Sequence, residues 1–231
     1  MKVLHINCNY MTTALHQTMI ENLDHYTENA VYCPVVRGGK AIVKPNGNVK
    51  SVECFSQINR VFYFVKQYKI RKKIQEIYNI KDFDLIHAYT LMTDGNCAMK
   101  LSQKYNIPYV VAIRDTDIND FFRLKPYLIQ RGIRIMEQAS AVFFLSESYK
   151  KIMLEKYIPA KKRDSIKEKM IIVPNGINRF WLDNCLSKES IAAKHIGEKI
   201  KVVLVGKLIK RKNIPTVQKA VTLQMIVVIL H

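Results

Sequence analysis

The 231 residues predict an α/β fold, a mostly parallel sheet with helices on both faces, followed by the incomplete start of a second α/β unit. Two observations carry the first part. Apolar, β-rich runs alternate with stretches of helical periodicity along nearly the whole chain, the order that builds parallel sheets. Several of those runs are almost unbroken Val, Ile, Leu and Phe, as expected of strands buried on both faces. A third observation marks the boundary. Val173-Pro174-Asn175-Gly176-Ile177 is a strong turn signal, because Asn-Gly accepts positive φ and proline cannot extend a ladder. Some 20 polar, irregular residues follow before a new apolar run opens at Ile200.

The expected strands are 2–7, 30–36, 84–88, 108–113, 141–145, 170–173 and 200–205. The first is read as a buried strand because it holds His5 and lacks the cleavage site of a signal peptide. Helices are expected over 13–24, 57–79, 92–105, 126–138 and 147–157, with another near 214–221. In 57–79, Ile58, Val61, Phe62, Val65, Tyr68, Ile70, Ile74, Ile77 and Tyr78 approximate one helical face. Thr93 and Ser146 stand where N-caps belong. The domain reading is 1–176 as the first unit, 177–199 as linker and 200–231 as the start of a second. One strand, one helix and the apolar tail 225–230 are too little to close a core, so the chain is expected to be a fragment or to have lost its reading frame.

Composition excludes disorder and low complexity: 48% of residues are hydrophobic and 24% charged. No apolar run approaches the roughly 18 residues of a membrane span. Five cysteines, odd in number and without CxxC spacing, argue against a zinc site or a disulfide framework and for the reducing cytoplasm. The net charge of +18 is concentrated in three blocks, 60–73, 150–169 and 199–219, the rest being neutral overall. Such blocks suit phosphates or acidic lipid as partners, or else form solvated helix faces. Nucleic acid is not expected, since no helix-turn-helix, zinc-finger or RNP signature accompanies them.

Three stretches, in this order, carry a resemblance. They are 83–117 (with Asp94-Gly95 and Arg114-Asp115-Thr116-Asp117), 171–180 around Pro174-Asn175-Gly176, and Val205-Gly206-Lys207 through Lys212. Together they resemble the N-terminal half of retaining glycosyltransferases of family 4, which have the GT-B fold. The resemblance implies a Rossmann-like acceptor domain facing a donor domain. The donor would be a nucleotide-diphospho-sugar, the acceptor a saccharide or lipid-linked hydroxyl, with no cofactor and no metal, in polysaccharide or glycoconjugate synthesis. The family's paired glutamates would lie beyond His231, so this chain alone is expected to be inactive. The alternative is a non-catalytic remnant that binds an anionic membrane surface or a lipid-linked sugar.

Site residues follow from position. Gly206 ends a strand, and Lys207 and Lys212 beyond it could neutralise a leaving diphosphate, the resemblance placing them where the family has Arg and Lys; otherwise they form a solvated basic turn. The resemblance departs at Lys207, a point charge in place of a fork, and at Asn213 in place of Gly. Arg114, Asp115 and Asp117 follow a strand end and are candidate substrate ligands; Arg114 could instead pair with Asp117 to order the loop. Asn9 and His16 are further candidates at the first strand's end, while His87 reads as packed inside its strand. Asn175 and Gly176 form a turn or a hinge. No residue is singled out as catalytic. Lys66, Lys69, Arg71, Lys72 and Lys73 give the 57–79 helix a face suited to the cytoplasmic side of an anionic membrane, or simply to water.

Overall fold

The computed structural model describes residues 1–39, 48–177, 179–185, 202–206, 213–220 and 225–229. The chain divides into two compact units, Met1–Asn178 and Arg179–His231. The first is built on seven strands: β1 (Lys2–Ile6), β2 (Glu28–Val36), β3 (Val49–Phe55), β4 (Leu85–Ala88), β5 (Tyr109–Ile113), β6 (Ala141–Phe144) and β7 (Met170–Ile172). They form one sheet in the order β3-β2-β1-β4-β5-β6-β7, and every neighbouring pair is parallel. The helices are α1 (Ala14–Leu23), α2 (Tyr63–Ile77), α3 (Asn96–Tyr105), α4 (Ile129–Gln138), α5 (Glu147–Ile152) and α6 (Ala160–Lys167). Single π-helical turns at Leu91–Gly95 and Asp117–Phe122 follow β4 and β5. This is the α/β, Rossmann-like sheet that the alternation predicts.

In the first unit, one strand and one helix go beyond the sequence reading. β3 reads Val-Lys-Ser-Val-Glu-Cys-Phe, a mixed run at the sheet edge that does not stand out as a buried strand. α6 buries only Ile166, so its amphipathic signal is faint.

The main core lies on one face of the sheet. Leu4, Ile6, Ile86, Ala88, Val111, Val142 and Phe144 are fully buried there together with Ile70 and Ile74 of α2, Met99 and Leu101 of α3, and Ile133 of α4. Each buried aliphatic side chain stabilises the fold by roughly 1.5–3 kcal/mol. Gly95 lets the helical segment 91–105 come close. A Cβ there would stand 3.0 Å from Ile135 Cγ2 and 3.0 Å from Val111 Cγ2. Val31 and Cys33 point to the other face, because side chains alternate along a strand, and pack in a smaller cluster with Ile20, Tyr10, Met11 and Val49.

The expectation of strands buried on both faces fails over half of that second face. In β4 to β6, Leu85, His87, Val110, Ala141 and Phe143 are partly exposed, with Ala112 buried between them, while their neighbours on the core face are buried, and Ile171 of β7 is exposed. Among the described residues the smaller cluster draws on β1 to β3 and α1, leaving β4 to β7 less covered there.

The caps are also corrected in one place. Ser146 caps α5, its Oγ accepting the Tyr149 N–H at 3.4 Å. The helical segment after β4 is capped by Thr90 and not by Thr93: Thr90 Oγ1 accepts the Asp94 N–H at 3.2 Å. Asn106, at φ 56°, closes α3 in the left-handed region that asparagine tolerates.

The second unit contains α7 (Arg179–Asp183), β8 (Val202–Gly206), α8 (Ile214–Ala220) and β9 (Met225–Ile229). β8 and β9 pair in parallel from Val202↔Met225 to Gly206↔Ile229, making a two-stranded sheet of their own. The stretch read as an apolar tail is therefore a strand.

Candidate functional site

The strand order reverses direction at β1. The chain moves outward through β2 and β3, then returns to place β4 on the other side of β1. The helices that follow β1 and β4 pack on opposite faces of the sheet, and such a switch point is where open α/β sheets bind ligands. Here it is formed by Asn7, Cys8 and Asn9 after β1 and by Tyr89 to Gly95 after β4. The two loops are tied together. Tyr89 N–H donates to Ile6 O at 3.1 Å, and Cys8 N–H donates to the Asp94 carboxylate at 3.3 Å.

Arg114 follows β5 and reaches back to this edge. Its Nε donates to Tyr89 O at 3.1 Å and its Nη1 to Asn175 Oδ1 at 3.2 Å. Partial burial lowers its pKa from the usual arginine value, but a guanidinium remains charged at any physiological pH. The edge thus carries a fixed, half-buried cation. His16, at the first turn of α1, is buried and meets the Tyr89 ring edge-on at 5.2 Å. Burial, and then the charge of Arg114, push its pKa down to about 4, so it is a neutral imidazole at neutral pH and a weak base. Asn7 is fully buried; its Oδ1 accepts the Asn9 N–H at 3.0 Å. Its Nδ2 has no hydrogen-bond partner among the described residues. An orphan buried donor costs about 1–3 kcal/mol, so it is informative beside a ligand site.

Two buried carboxylates frame the site. Asp117 accepts the backbone N–H groups of Leu91 at 3.0 Å, Met92 at 2.9 Å and Arg114 at 2.9 Å. Burial still raises its pKa to about 6, opposed by those bonds. Asp94 accepts the Thr90 hydroxyl at 3.0 Å and the longer bond from Cys8; burial raises it to about 7.

These contacts sort the candidates. Arg114 and His16 converge on Tyr89. The guanidinium does not pair with Asp117 as the alternative reading supposed; Asp117 binds the Arg114 backbone instead. Asp117 is fully buried and its carboxylate is occupied by three backbone donors, which hold the two loops together. Asp115 accepts the Tyr149 hydroxyl at 2.8 Å and Asn119 Nδ2 at 2.7 Å, which directs it toward α5. Asn9 caps the short turn Tyr10–Thr12 through its carbonyl, which accepts the Thr12 N–H at 3.0 Å. Asn175 acquires a partner in Arg114, and Gly176 is exposed with open space around it. His87 lies within β4, its ring 5.4 Å from His5 and stacked on Tyr89 at 4.3 Å. Loss of hydration under the stacked Tyr89 ring, and then the charges of His5, Arg114 and His16, push His87 well below the usual histidine range, and burial pushes His5 down to about 4.

The sequence reading passed over Asn7 and Thr90, and used Asp94 and Tyr89 only within a motif. Their signal is position just past the ends of β1 and β4, and it becomes meaningful once those strands are known to be neighbours. Gly206 closes β8, while Lys207 and Lys212 lie outside the described residues.

The basic helix departs from expectation. α2 buries Tyr63, Gln67, Ile70 and Ile74, while Ile58, Val61, Phe62, Val65 and Tyr68, read as part of the same face, are exposed. Tyr63 Oη donates to Met92 O at 2.8 Å and Gln67 Nε2 to Thr93 O at 2.9 Å, which turns that row inward. Lys73 pairs with Glu76 at 2.6 Å, and Lys66 Nζ stands 4.6 Å over the Phe55 ring. Lys69 and Lys72 are exposed, and the Arg71 guanidinium lies 5.7 Å from the Tyr68 ring. Among the described residues no helix is long and apolar enough to cross a membrane.

The Glycosyltransferase Family 4 model matches residues 27–179. The uncharacterised glycosyltransferase MJ1178 of Methanocaldococcus jannaschii is 25% identical over 139 residues, 59% of this chain and 35% of that protein. TuaC of Bacillus subtilis (strain 168), named for glycosyl transfer in teichuronic acid biosynthesis, is 27% identical over 141 residues, 60% of this chain and 34% of that protein. The chain therefore matches about a third of the length of these curated relatives. Among solved structures, a trehalose-6-phosphate synthase studied for glycosyl transfer with retention aligns with a TM-score of 0.60 at 12% identity. That alignment covers 94% of this chain and 58% of the synthase, a likeness of fold.

Proposed function

The chain belongs to glycosyltransferase family 4, and on that footing we propose that its first unit is the acceptor side of a retaining hexosyl transfer. The donor is a nucleotide-diphospho-sugar and acts as a substrate, with no further cofactor. The acceptor is a saccharide or lipid-linked hydroxyl in surface polysaccharide or glycoconjugate synthesis, a setting supported by the similarity to TuaC.

The observation that carries this reading is the anchored cation at the switch point: Arg114 held by Tyr89 O and Asn175 Oδ1. Neutral His16 and the orphan amide of Asn7 belong to the same edge of the sheet. A guanidinium whose geometry is set before the ligand arrives loses less freedom on binding and can take a phosphate or carboxylate through two parallel bonds. A neutral imidazole and an unpaired amide suit sugar hydroxyls, which both donate and accept. None of the three is a strong base at neutral pH, so the edge binds and orients the acceptor. Lys207 and Lys212 would neutralise the departing diphosphate, and Asn175-Gly176 would serve as the hinge. On this reading the acceptor unit alone binds and does not turn over, because the leaving group is clamped elsewhere.

The test is amide chemical-shift mapping of the chain against a panel of saccharides and polyprenyl-diphosphate sugars, with labelled nucleotide sugars added in parallel. The expected result is saturable perturbation at 7–16, 89–95 and 114, at least about tenfold weaker in Arg114→Ala, a loss typical of one charged hydrogen bond. Perturbation confined to other positions, or sugar incorporation by the chain that survives Arg114→Ala, overturns the reading.

A further inference from the structure

Helices α2, α3 and α4 lie side by side over the main core, and side chains bond across them. Lys104 Nζ donates to Gln75 Oε1 at 2.8 Å, and Gln103 Nε2 donates to Gln138 Oε1 at 2.6 Å. Each helix connects two parallel strands of one sheet, so the three run in the same direction. One turn nearer the N-terminus of each helix, the row Gln75, Lys104 and Gln138 gives way to Arg71, Lys100 and Arg134, three cations abreast at mid-helix. Arg131, a further turn up α4, crosses to α2, its guanidinium 5.4 Å over the Phe64 ring. Its Nη1 is buried without a hydrogen-bond partner among the described residues. Burial, and then the charges of Arg131, Arg71 and Arg134, push the Lys100 ammonium below the usual lysine value, so the four cations share one neighbourhood. Lys100 donates to Gln103 Oε1 at 2.9 Å, which uses one of its three protons.

The carboxylates of these elements and their flanks are engaged elsewhere or stand apart. Glu76 pairs with Lys73 at 2.6 Å, Glu137 pairs with Lys162 at 2.7 Å, and Glu53 accepts the Gly38 N–H at 3.1 Å. Asp120 is exposed in the π-helical turn after β5, and α3 itself carries no acid. Like charges gathered without a counter-charge repel one another, and an orphan buried donor destabilises further. A bound anion removes both penalties. We infer that Arg71, Lys100, Arg131 and Arg134 form a binding site for the phosphates of a soluble diphosphate or triphosphate, separate from the sheet edge that holds Arg114. Arginine forks take phosphate oxygens through paired hydrogen bonds, and the lysine adds a point charge between them. Neighbouring helix axes stand about 8–10 Å apart, so linked phosphates reach side chains of two or three helices where a lone phosphate reaches fewer. The charges gather around Lys100 and do not form a long track lined with stacking rings, which suits a compact ligand better than a nucleic acid strand. The inference does not depend on the transferase reading, since the four residues lie at mid-helix and binding can be measured without any sugar.

The experiment is isothermal titration calorimetry of the full chain with pyrophosphate, tripolyphosphate and inorganic phosphate. Lys100→Gln and Arg134→Gln accompany it, with Lys72→Gln, at an exposed position of α2, as the control. The expected result is saturable binding, at least about tenfold tighter for the linked phosphates than for inorganic phosphate, the gain of one further charged hydrogen bond. Lys100→Gln and Arg134→Gln should each weaken it at least about tenfold for the same reason, while Lys72→Gln binds like wild type. Circular dichroism should be unchanged in all three. In a lysine NMR titration, bound pyrophosphate should raise the Lys100 pKa, because a neighbouring anion favours the ammonium. No binding of pyrophosphate or tripolyphosphate overturns the inference. Equal losses in all three variants also overturn it, since that pattern is general attraction to the net charge. So does a loss confined to Arg114→Ala, which would put the phosphates at the sheet edge. Flotation on phosphatidylglycerol vesicles that needs Lys100 and Arg134, without pyrophosphate binding, would identify a lipid headgroup and overturn it as well.

Discussion

We predict that Asp94→Asn makes the first unit more stable at neutral pH and less stable in acid. Asp94 is fully buried, and its carboxylate has only the Thr90 hydroxyl at 3.0 Å and a Cys8 N–H at 3.3 Å to replace its hydration. Burial therefore raises its pKa from 3.8 to about 7. Asp117 is as buried but accepts three backbone N–H groups, and it rises less, to about 6. A carboxyl with a raised folded pKa stabilises the fold below its unfolded pKa and loses that contribution as pH rises through the folded value. Moving Asp94 from 3.8 to about 7 corresponds to on the order of 4 kcal/mol lost between those pH values, an upper figure for a single group. Asparagine has no such loss. It keeps the bond from Cys8 but leaves the Thr90 hydroxyl hydrogen without its acceptor, a pH-independent cost of about 1 kcal/mol. The two stability curves should then cross between about pH 4 and 5, with the variant ahead by about 3 kcal/mol near pH 7.5.

The difference between the two proteins is the observable, because the wild-type curve mixes opposing groups. His5 and His16, lowered to about 4, make stability rise with pH between about 4 and 6.5, and they cancel only in the difference. Urea unfolding followed by tyrosine absorbance suits the question. All 12 tyrosines lie at or before residue 157, within the first unit, and the single tryptophan, Trp181, lies in the second. A wild-type minus variant difference that stays flat from pH 4 to 8 refutes the reasoning, and would mean that Asp94 is ionised at no cost.

Two further outcomes follow from packing. A Cβ at Gly132 would stand 2.4 Å from Cζ of the buried Phe122, so Gly132→Ala should destabilise despite the roughly 1 kcal/mol of helix propensity it gains. Phe122→Leu should recover part of that loss in thermal melts, and a stabilised single variant would show that the Phe122 ring moves freely. Asp117→Ala leaves three backbone N–H groups without their acceptor and should cost roughly 3 kcal/mol or more in urea unfolding, with Asp117→Asn in between; a loss below about 1 kcal/mol would indicate that water replaces the carboxylate.

The local chemistry of the chain was enough for the elements and their class. The apolar runs Tyr-Val-Val-Ala-Ile at β5 and Ala-Val-Phe-Phe at β6 read as interior strands, and Ser146 is placed to cap whatever helix follows it, since these effects act within a few residues. The three ordered motifs placed the family for the same reason, being short-range patterns. What remained hidden was everything that depends on which elements become neighbours. β3 escaped notice because an edge strand with one covered face needs no continuous apolar run. Periodicity put Ile58, Val65 and Ile70 on one stripe, yet Tyr63 and Gln67 found partners in the Met92 and Thr93 carbonyls and turned half that stripe outward. Asp117 looked like a ligand beside Arg114 until the fold brought the Leu91 and Met92 amides, some 25 residues away, onto its carboxylate. Tertiary structure alone decided that β1 and β4 stand side by side, and with that it gathered Asn7, His16, Tyr89 and Arg114 at one edge of the sheet, the proposed site. Strand order is set by burying sheet faces over the whole unit, an energy no local segment carries.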